Sequence, residues 1–474
     1  MRYITKNDWY TVGQHLGTLM VGVGISTLIP LIIDVIYHEN NYMSFIVPGL
    51  FSITIGYFLH RIPAKATMKM KHGMIVSSLI WLWAGLIGSF TMMSCTSLDF
   101  VNAFFENISA WTTTGFTMFQ DVEALPYSIL FLRCLEQWIG GLGLVTLMMG
   151  AVLRSGKTVV QLYRSEARDE KISPSIGNTL KKLIKVYVLI TIFGIAIFKI
   201  AGMPIFDAIC NTFTSISTGG IPIKNSSMGF YNNNLFSLIS IVIMIIGATS
   251  FLTVYKSFRT KFLSFLKDLQ FQLMISLIVI FFIILHFTTD ISYMNILFHV
   301  ISAITTTGSS LDSSIQIANW SSVTKVMIIL LMIIGGSVGS TAGAIKLMRV
   351  ILIFKGFYSQ IMNVLSPESR VIKLKISNLK INDTSIKEAN SYLSFYMTLL
   401  IIGWLVLIFY GYDPFNALFD VTSAQGNIGL STGIISSTMP IIAKIMLIIN
   451  MWAGRLEIIS LLVLIRAGFD VLKR

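Results

Sequence analysis

Two nearly identical stretches of small hydroxyl side chains and glycine have the chemistry to coordinate a cation. The first, SAWTTTGFT, occupies residues 109–117, and the second, SAITTTGSS, occupies residues 302–310. Neither stretch carries a charged side chain. Threonine hydroxyls and backbone carbonyls can replace the water shell of a dehydrated cation, and glycine lets such carbonyls point inward. The two stretches are therefore candidate parts of a cation site.

The pattern around these stretches repeats along the chain. An asparagine and a Ser-Ala pair stand at fixed distances before a glycine in the lines NAFFENISAWTTTG, NILFHVISAITTTG and NALFDVTSAQGNIG. A fourth line, FDAICNTFTSISTGG, matches less well, and we align its Gly219 with the other three glycines. One TTTG alone would be an ordinary turn, but repetition at fixed offsets favours a shared function.

Three residues of each copy are the candidate ion ligands, and we call these triplets the filter segments. They are Thr113, Thr114 and Gly115; Ser217, Thr218 and Gly219; Thr306, Thr307 and Gly308; and Asn427, Ile428 and Gly429. The fourth segment has Asn427 and Ile428 where the first and third have threonines. We therefore expect weakened fourfold symmetry and less strict selectivity.

The rest of the chain has the composition of an integral membrane protein. Of its 474 residues 54% are hydrophobic and 12% charged, and the mean hydropathy is +0.76. Such a chain is too apolar for a soluble domain, and ten of its apolar runs are long enough to span a bilayer. These runs are 11–36, 43–59, 74–94, 127–152, 183–202, 235–255, 271–288, 325–345, 391–411 and 438–465. Four shorter runs lie between them, at 100–111, 205–214, 293–304 and 414–424.

The net charge of +13 is explained by basic loops between membrane spans rather than by a surface that binds nucleic acid. Basic residues gather in the loops 60–73, 154–185, 256–268 and 346–390. The positive-inside rule makes these loops and both termini cytoplasmic, with the first run a retained signal anchor. The short runs then lie outside, where acidic residues collect. Those acids either raise the local cation concentration or simply form a solvated surface.

These features predict an all-α polytopic fold built from four repeats of span, pore helix, filter segment and span around one pore. The expected units are an N-terminal two-span pair at 1–61 and pore repeats at 62–170, 171–268, 269–365 and 366–474, the last with a preceding cytoplasmic hairpin near 369–383. Irregular backbone at membrane depth is tolerated where it lines water, so the filter segments should face a common pore. The negative C-terminal ends of the short helices should favour a cation there.

The segment 335–345, which we call the Gly-rich loop, is rich in glycine and serine. Each glycine costs a helix about 1 kcal/mol relative to alanine. The composition is compatible with a loop at membrane depth or with close helix packing through small residues.

Charged residues within the apolar runs need partners. Arg455 lies deep in the last run, where arginine costs at least about 2.5 kcal/mol, so it should face a partner or water, or else snorkel to the inner boundary. Glu457 lies on a different helix face from Arg455. Arg133 and Glu136 are spaced to share one face, which predicts a structural ion pair.

The chain resembles the TrkH/KtrB/HKT superfamily of potassium transporters over nearly its whole length. Four stretches carry the resemblance: TTTGF at 112–116, RCLEQWIGGLGLVTL at 133–147, GGSVGSTAGAIK at 335–346 and WAGRLEI at 452–458. The two extra N-terminal spans make it most similar to the TrkH type.

The resemblance implies potassium as the substrate, because a glycine at the first filter goes with potassium preference in this superfamily. The sequence contains no Gly-rich nucleotide-binding loop, so we expect no cofactor. It implies a gate made of the Gly-rich loop and nearby residues: Gly335, Gly336, Gly339, Ser340, Thr341, Gly343, Lys346 and Arg455. It also implies a homodimer in the cell membrane and a cytoplasmic nucleotide-binding subunit of the TrkA/KtrA type.

Two other classes of function compete with potassium uptake. An enzyme would need a nucleophile with a base or a metal set, and the six histidines are scattered without such a motif, so we expect no enzyme. A sodium-coupled symporter would use inverted repeats, whereas the repeats here have one orientation. Nonselective or sodium-coupled cation transport remains the alternative.

Overall fold

The computed structural model describes residues 4–143, 176–260, 263–367, 375–376, 379–380, 383–456 and 458–472. These residues are mostly helical, which confirms the expected all-α fold. In the expected cytoplasmic hairpin, Lys375–Ile376 pairs antiparallel with Leu379–Lys380, and much of the remaining hairpin lies outside the described residues. The expected boundaries of the repeats stay predictions.

The helices follow the order of the sequence pattern. The first half contains Lys6–Leu28, Leu31–Tyr37, Tyr42–Arg61, Met70–Cys95, Phe100–Trp111, Tyr127–Leu142, Ile176–Ile200, Ile205–Ile216, Asn234–Gly247 and Phe251–Thr260. The second half contains Leu263–Lys267, Leu269–Thr288, Tyr293–Ile304, Ser314–Ala318, Ser322–Ile334, Leu347–Leu365, Asp383–Phe409, Pro414–Gly426, Ile441–Leu456 and Ile458–Leu472. A 3₁₀ turn covers Ser227–Tyr231.

Six of the described helical segments are long and apolar enough to cross a membrane, and two bent helix pairs bring the number to eight. Two of the ten expected spans are not among these. The run 127–152 passes out of the described residues after Gly143. The run 325–345 is not one helix, because Ser322–Ile334 ends at Gly335 and the next helix begins at Leu347. The run therefore breaks at its cluster of glycine and serine, in agreement with one of the two alternatives that this composition left open.

Four short helices occupy the four short apolar runs, and we call them the pore helices. They are Phe100–Trp111, Ile205–Ile216, Tyr293–Ile304 and Pro414–Gly426. At about 1.5 Å per residue, each is too short to cross the bilayer. Side chains of Asp99, Ser292 and Asp413 accept hydrogen bonds from the first-turn amides of the first, third and fourth, which fixes where these helices begin.

Each pore helix packs between the longer helices of its own repeat. The first contacts Met70–Cys95 and Tyr127–Leu142, and the fourth contacts Asp383–Phe409 and Ile441–Leu456. The two N-terminal spans pack on each other and on Met70–Cys95. The longer helices therefore flank each pore helix and fix the position of its C-terminal end, where the filter segment begins.

Candidate functional site

The filter segments follow directly on the C-terminal ends of the pore helices. In each repeat, the same number of residues separates the first pore-helix residue from a glycine with positive φ. The pairs are Phe100 and Gly115, Ile205 and Gly220, Tyr293 and Gly308, and Pro414 and Gly429. The residue two positions before each glycine also has positive φ: 56° at Thr113, 52° at Thr218, 57° at Thr306 and 56° at Asn427. The counterpart in the second repeat is therefore Gly220, and the alignment on Gly219 is wrong by one residue.

Each of the four glycines lies directly against a backbone carbonyl oxygen of a neighbouring repeat, and the four contacts form a closed ring. A Cβ atom on each glycine would lie within about 2 Å of the carbonyl oxygen in front of it. The distances are 2.2 Å from Gly115 to Gly219 O, 2.0 Å from Gly220 to Thr307 O, 1.7 Å from Gly308 to Ile428 O and 2.1 Å from Gly429 to Thr114 O. The glycine of each repeat thus faces a carbonyl oxygen of the next repeat, and the glycine of the fourth repeat faces one of the first. We call these four oxygens the carbonyl ring.

Two cavities lie close to the filter segments. A cavity of about 210 Å³ is lined by all four glycines together with residues after the filter segments, such as Ser310 and Asp312. We call it the outer cavity, because the charge pattern of the sequence predicts that this side faces outward. A smaller inner cavity of about 30 Å³ is lined by Gly343, Lys346 and Arg455. The third filter segment adjoins both spaces, because Gly308 lines the outer cavity and the Thr306 hydroxyl accepts a hydrogen bond from the amide of Gly343, which lines the inner one.

The loops beside the outer cavity are tied together by polar contacts. Asn225 Nδ2 donates to Asp121 Oδ1 at 2.9 Å, and the Val122 amide donates to Asn225 Oδ1 at 2.7 Å. The hydrogen bond from Asn225 holds the pKa of Asp121 below its usual range. The carboxylate therefore stays charged in a loop beside the outer cavity.

One pore-helix position holds a buried or partly buried polar residue in every repeat, and sequence reasoning missed it. The residues are Glu106, Asn211, His299 and Asp420, each at one fixed distance before its filter glycine. The Glu106 carboxylate accepts from the Met118 amide at 2.6 Å, and that of Asp420 accepts from the Thr432 amide at 2.8 Å. The spacing becomes visible once Gly220 is the reference in the second repeat.

The other two residues of this set make the same kind of contact. His299 Nε2 lies 3.0 Å from the Ser310 hydroxyl, and Asn211 Nδ2 donates to the Tyr231 hydroxyl at 3.2 Å. All four therefore fasten the chain after the filter segment to the pore helix. Their variety of residue types explains why no sequence motif marks them.

Arg133 pairs with Glu106 and not with Glu136, so the expected pair is wrong. Arg133 Nε donates to Glu106 Oε1 at 2.8 Å, and both side chains are fully buried. Arg133 Nη1 also donates to Pro222 O at 2.9 Å, which joins the first repeat to the second. Helical spacing predicted Glu136 as the partner. The long Arg133 side chain instead reaches Glu106 on the adjacent pore helix Phe100–Trp111.

Replacing Arg133 by alanine is expected to lower the free energy of unfolding by about 3–5 kcal/mol, because Glu106 becomes an unpaired buried carboxylate. Thermal unfolding in detergent measures this loss. The double variant Arg133→Ala/Glu106→Gln is the control, and it should recover part of the stability because no charge is left unpaired. A single variant as stable as the wild type would contradict this role for the pair.

The Gly-rich loop is a loop rather than a packed helix, which decides between the two readings of its composition. Gly335 has φ of 72°, and the helix before it ends there. The Lys346 amide donates to Ile334 O at 2.9 Å, so the chain folds back on itself before the next helix begins. The Ser337 amide donates to Ala248 O at 2.9 Å, which anchors the loop to the second repeat.

Arg455 points at the Gly-rich loop and not toward a membrane boundary. Its guanidinium donates to Thr341 O at 2.7 Å, to Gly140 O at 2.5 Å and to Gly141 O at 2.9 Å. It thereby joins the loop to the end of helix Tyr127–Leu142, beside the inner cavity. The snorkelling alternative does not fit these contacts, and Glu457 lies outside the described residues.

Comparison with known proteins places this architecture among transporters. The sequence model of the TrkH family, described as cation transport protein, matches residues 42–289 and 312–469. An uncharacterized cation transporter of Methanocaldococcus jannaschii is 37% identical over 97% of this chain and 96% of its own length. The Trk system potassium uptake protein TrkH of Escherichia coli K12 is 30% identical, over 97% of this chain and 98% of its own. The crystal structure of the potassium transporter TrkH from Vibrio parahaemolyticus superposes with a TM-score of 0.85 at 25% identity, covering 96% of this chain and 98% of that one.

Proposed function

The chain belongs to the TrkH family of cation transport proteins, and on that basis we propose that it takes up potassium across the cell membrane as the ion-conducting subunit of a Trk-type system. Its relatives are transporters and not enzymes. The observation that carries the proposal is the carbonyl ring, in which each of four repeats brings a glycine against a carbonyl of the next. Potassium is the cargo of this site and no resident cofactor is needed.

We propose that filter backbone oxygens, the carbonyl ring among them, coordinate potassium after its water has been removed. Carbonyl dipoles can replace a hydration shell at close quarters. The four pore helices direct their C-terminal ends, which carry partial negative charge, toward the same place. The glycines are needed because any side chain there would displace a neighbouring carbonyl.

The Gly-rich loop and Arg455 form the gate in this proposal, and the small size of the inner cavity supports a closed conformation. An inner cavity of about 30 Å³ has room for roughly one or two water molecules. A hydrated cation cannot leave the filter through so small a space. The positive charge of Arg455 beside this cavity adds an electrostatic barrier to cations.

One contact favours the runner-up function, nonselective potassium and sodium transport. Gln137 Nε2 donates to Gly219 O at 2.8 Å, and Gln137 Oε1 accepts from the Ile221 amide at 3.0 Å. A carbonyl that already accepts a hydrogen bond is a weaker ligand for an ion. The ring is therefore less symmetric than four identical repeats would make it.

The partners are carried over from the resemblance as proposals. A homodimer accords with helix Leu347–Leu365, whose Phe354 and Ile361 are exposed apolar residues that lipid or a second copy could cover. A nucleotide-binding TrkA/KtrA-type subunit would dock on the cytoplasmic basic loops. The loop 154–185 lies mostly outside the described residues, and both termini are proposed to be cytoplasmic.

Rubidium uptake into liposomes that hold the purified protein tests the function. We expect uptake that sodium competes with poorly and that proceeds without sodium. Equal uptake of both ions would establish the nonselective alternative, and a requirement for sodium would establish the coupled one. If uptake is absent, adding the cytoplasmic subunit should restore it, and failure of both arms contradicts potassium conduction.

A further inference from the structure

The Gly-rich loop is hydrogen-bonded to the filter segments themselves. The Gly343 amide donates to the Thr306 hydroxyl at 2.8 Å, and the Thr218 hydroxyl lies 3.1 Å from the Thr341 hydroxyl. We propose that the loop holds the filter in its selective geometry as well as closing the path, and that Thr341 is the positioning residue through which it does so. This inference rests on the potassium-uptake function proposed above.

The filter residues that the loop contacts have a backbone conformation that needs support. Thr218 has φ of 52° and Thr306 has φ of 57°. The left-handed region is unfavourable for a β-branched residue, and such a conformation persists only where the surroundings hold it. The hydrogen bonds to the loop are part of those surroundings, so losing them weakens the constraint on the filter.

Thr341 connects the loop to the second repeat and to the gate arginine. Its buried hydroxyl lies within hydrogen-bond distance of two carbonyl oxygens, at 2.8 Å from Gly247 O and 3.0 Å from Ile216 O. Ile216 is the last residue of the second pore helix, so this contact reaches the start of the second filter segment. The Thr341 carbonyl accepts from Arg455 at 2.7 Å. Thr341 therefore contacts the second filter segment and its pore helix through its side chain, and Arg455 through its backbone carbonyl.

The support is unequal among the four repeats. The loop holds the second and third filter segments through the contacts above. The first and fourth segments are joined to each other, because Asn427 Nδ2 donates to the Thr114 hydroxyl at 3.1 Å and also to Met451 O at 2.8 Å. Movement of the loop out of the path therefore releases one half of the carbonyl ring and leaves the other half held. Selectivity for potassium should fall in part when the gate opens, because the first and fourth segments stay joined.

Cation binding measured without transport tests this coupling separately from gating. The purified protein in detergent is heated in rising potassium chloride or sodium chloride, and the shift in Tm gives an apparent Kd for each ion. Thr341→Val, which removes the hydroxyl and keeps the shape, should reduce the ratio of the sodium Kd to the potassium Kd about three- to tenfold. Thr341→Ser, which keeps the hydroxyl, should retain the wild-type ratio.

A ratio unchanged in Thr341→Val would overturn the coupling and leave the loop as a gate alone. If that variant does not fold, Arg455→Ala is the second test. It removes the hydrogen bond to the Thr341 carbonyl without changing a filter residue, and it should lower the ratio of the sodium Kd to the potassium Kd as well. An unchanged ratio there would equally overturn the proposal. Equal stabilisation of the wild type by both ions would contradict the potassium function itself, and it is visible before any variant is compared.

Discussion

Replacing Gly115 by serine is expected to reduce the preference for rubidium over sodium by at least about tenfold, since a side chain at positive φ costs roughly 1–2 kcal/mol before any contact is counted. A Cβ atom there would lie 2.2 Å from Gly219 O, so that carbonyl must move out of the carbonyl ring. The φ of 91° at Gly115 adds strain for any other residue. The ratio of rubidium to sodium uptake in liposomes measures the change.

The two adjacent glycines of the second repeat provide the matched control. Gly220 has φ of 61° and faces Thr307 O, so Gly220→Ala should impair selectivity as Gly115→Ser does. A Cβ atom on Gly219 would meet the side-chain amide of Gln137 rather than a backbone carbonyl of the ring, and a side chain yields more readily than backbone, so Gly219→Ala should have the smaller effect. The reverse order would contradict the assignment of Gly220 to the ring.

Replacing Arg455 by alanine is expected to raise rubidium uptake about tenfold or more, because a hydrogen bond from a charged donor is worth roughly 1.5–3 kcal/mol and three are lost. The variant removes both the positive charge beside the inner cavity and the link between Thr341 and Gly140. Initial rates of uptake into liposomes at matched protein content measure the effect. Uptake equal to that of the wild type would remove Arg455 from the gate.

Arg455→Lys separates the two contributions of this residue. Lysine keeps the charge but lacks the planar fork that reaches carbonyls on two different elements. Low uptake in the lysine variant would mean that charge alone closes the path. Uptake close to that of the alanine variant would mean that the link to the Gly-rich loop closes it.

Local pattern was enough to predict the four short helices and three of the four glycines with positive φ that follow them. Asn102, Asn295 and Asn416 stand at one distance before their glycines, and the helices begin near them as expected. The second repeat misled the alignment because Gly219 and Gly220 are adjacent and its helix starts after Pro204, without a side-chain cap. The backbone angles and the atoms that each glycine faces distinguish Gly219 from Gly220, and neither feature is visible in the sequence.

Contacts between distant parts of the chain could not be predicted from spacing. Arg133 shares a helix face with Glu136, yet its charge is neutralised by Glu106 on another helix. Arg455 donates to three backbone carbonyls, and a backbone acceptor cannot be recognised from a sequence. The Gly-rich loop was ambiguous for a similar reason, because glycine suits both a loop and close helix packing.

The position of a bound cation tests the central claim most directly. Crystals grown in rubidium chloride, with data collected at the rubidium absorption edge, would show where the ion rests. The carbonyl ring predicts an anomalous peak on the pore axis, level with the oxygens of Thr114, Gly219, Thr307 and Ile428, that is lost when sodium replaces rubidium. A peak away from these four oxygens, with none between them, would contradict the account.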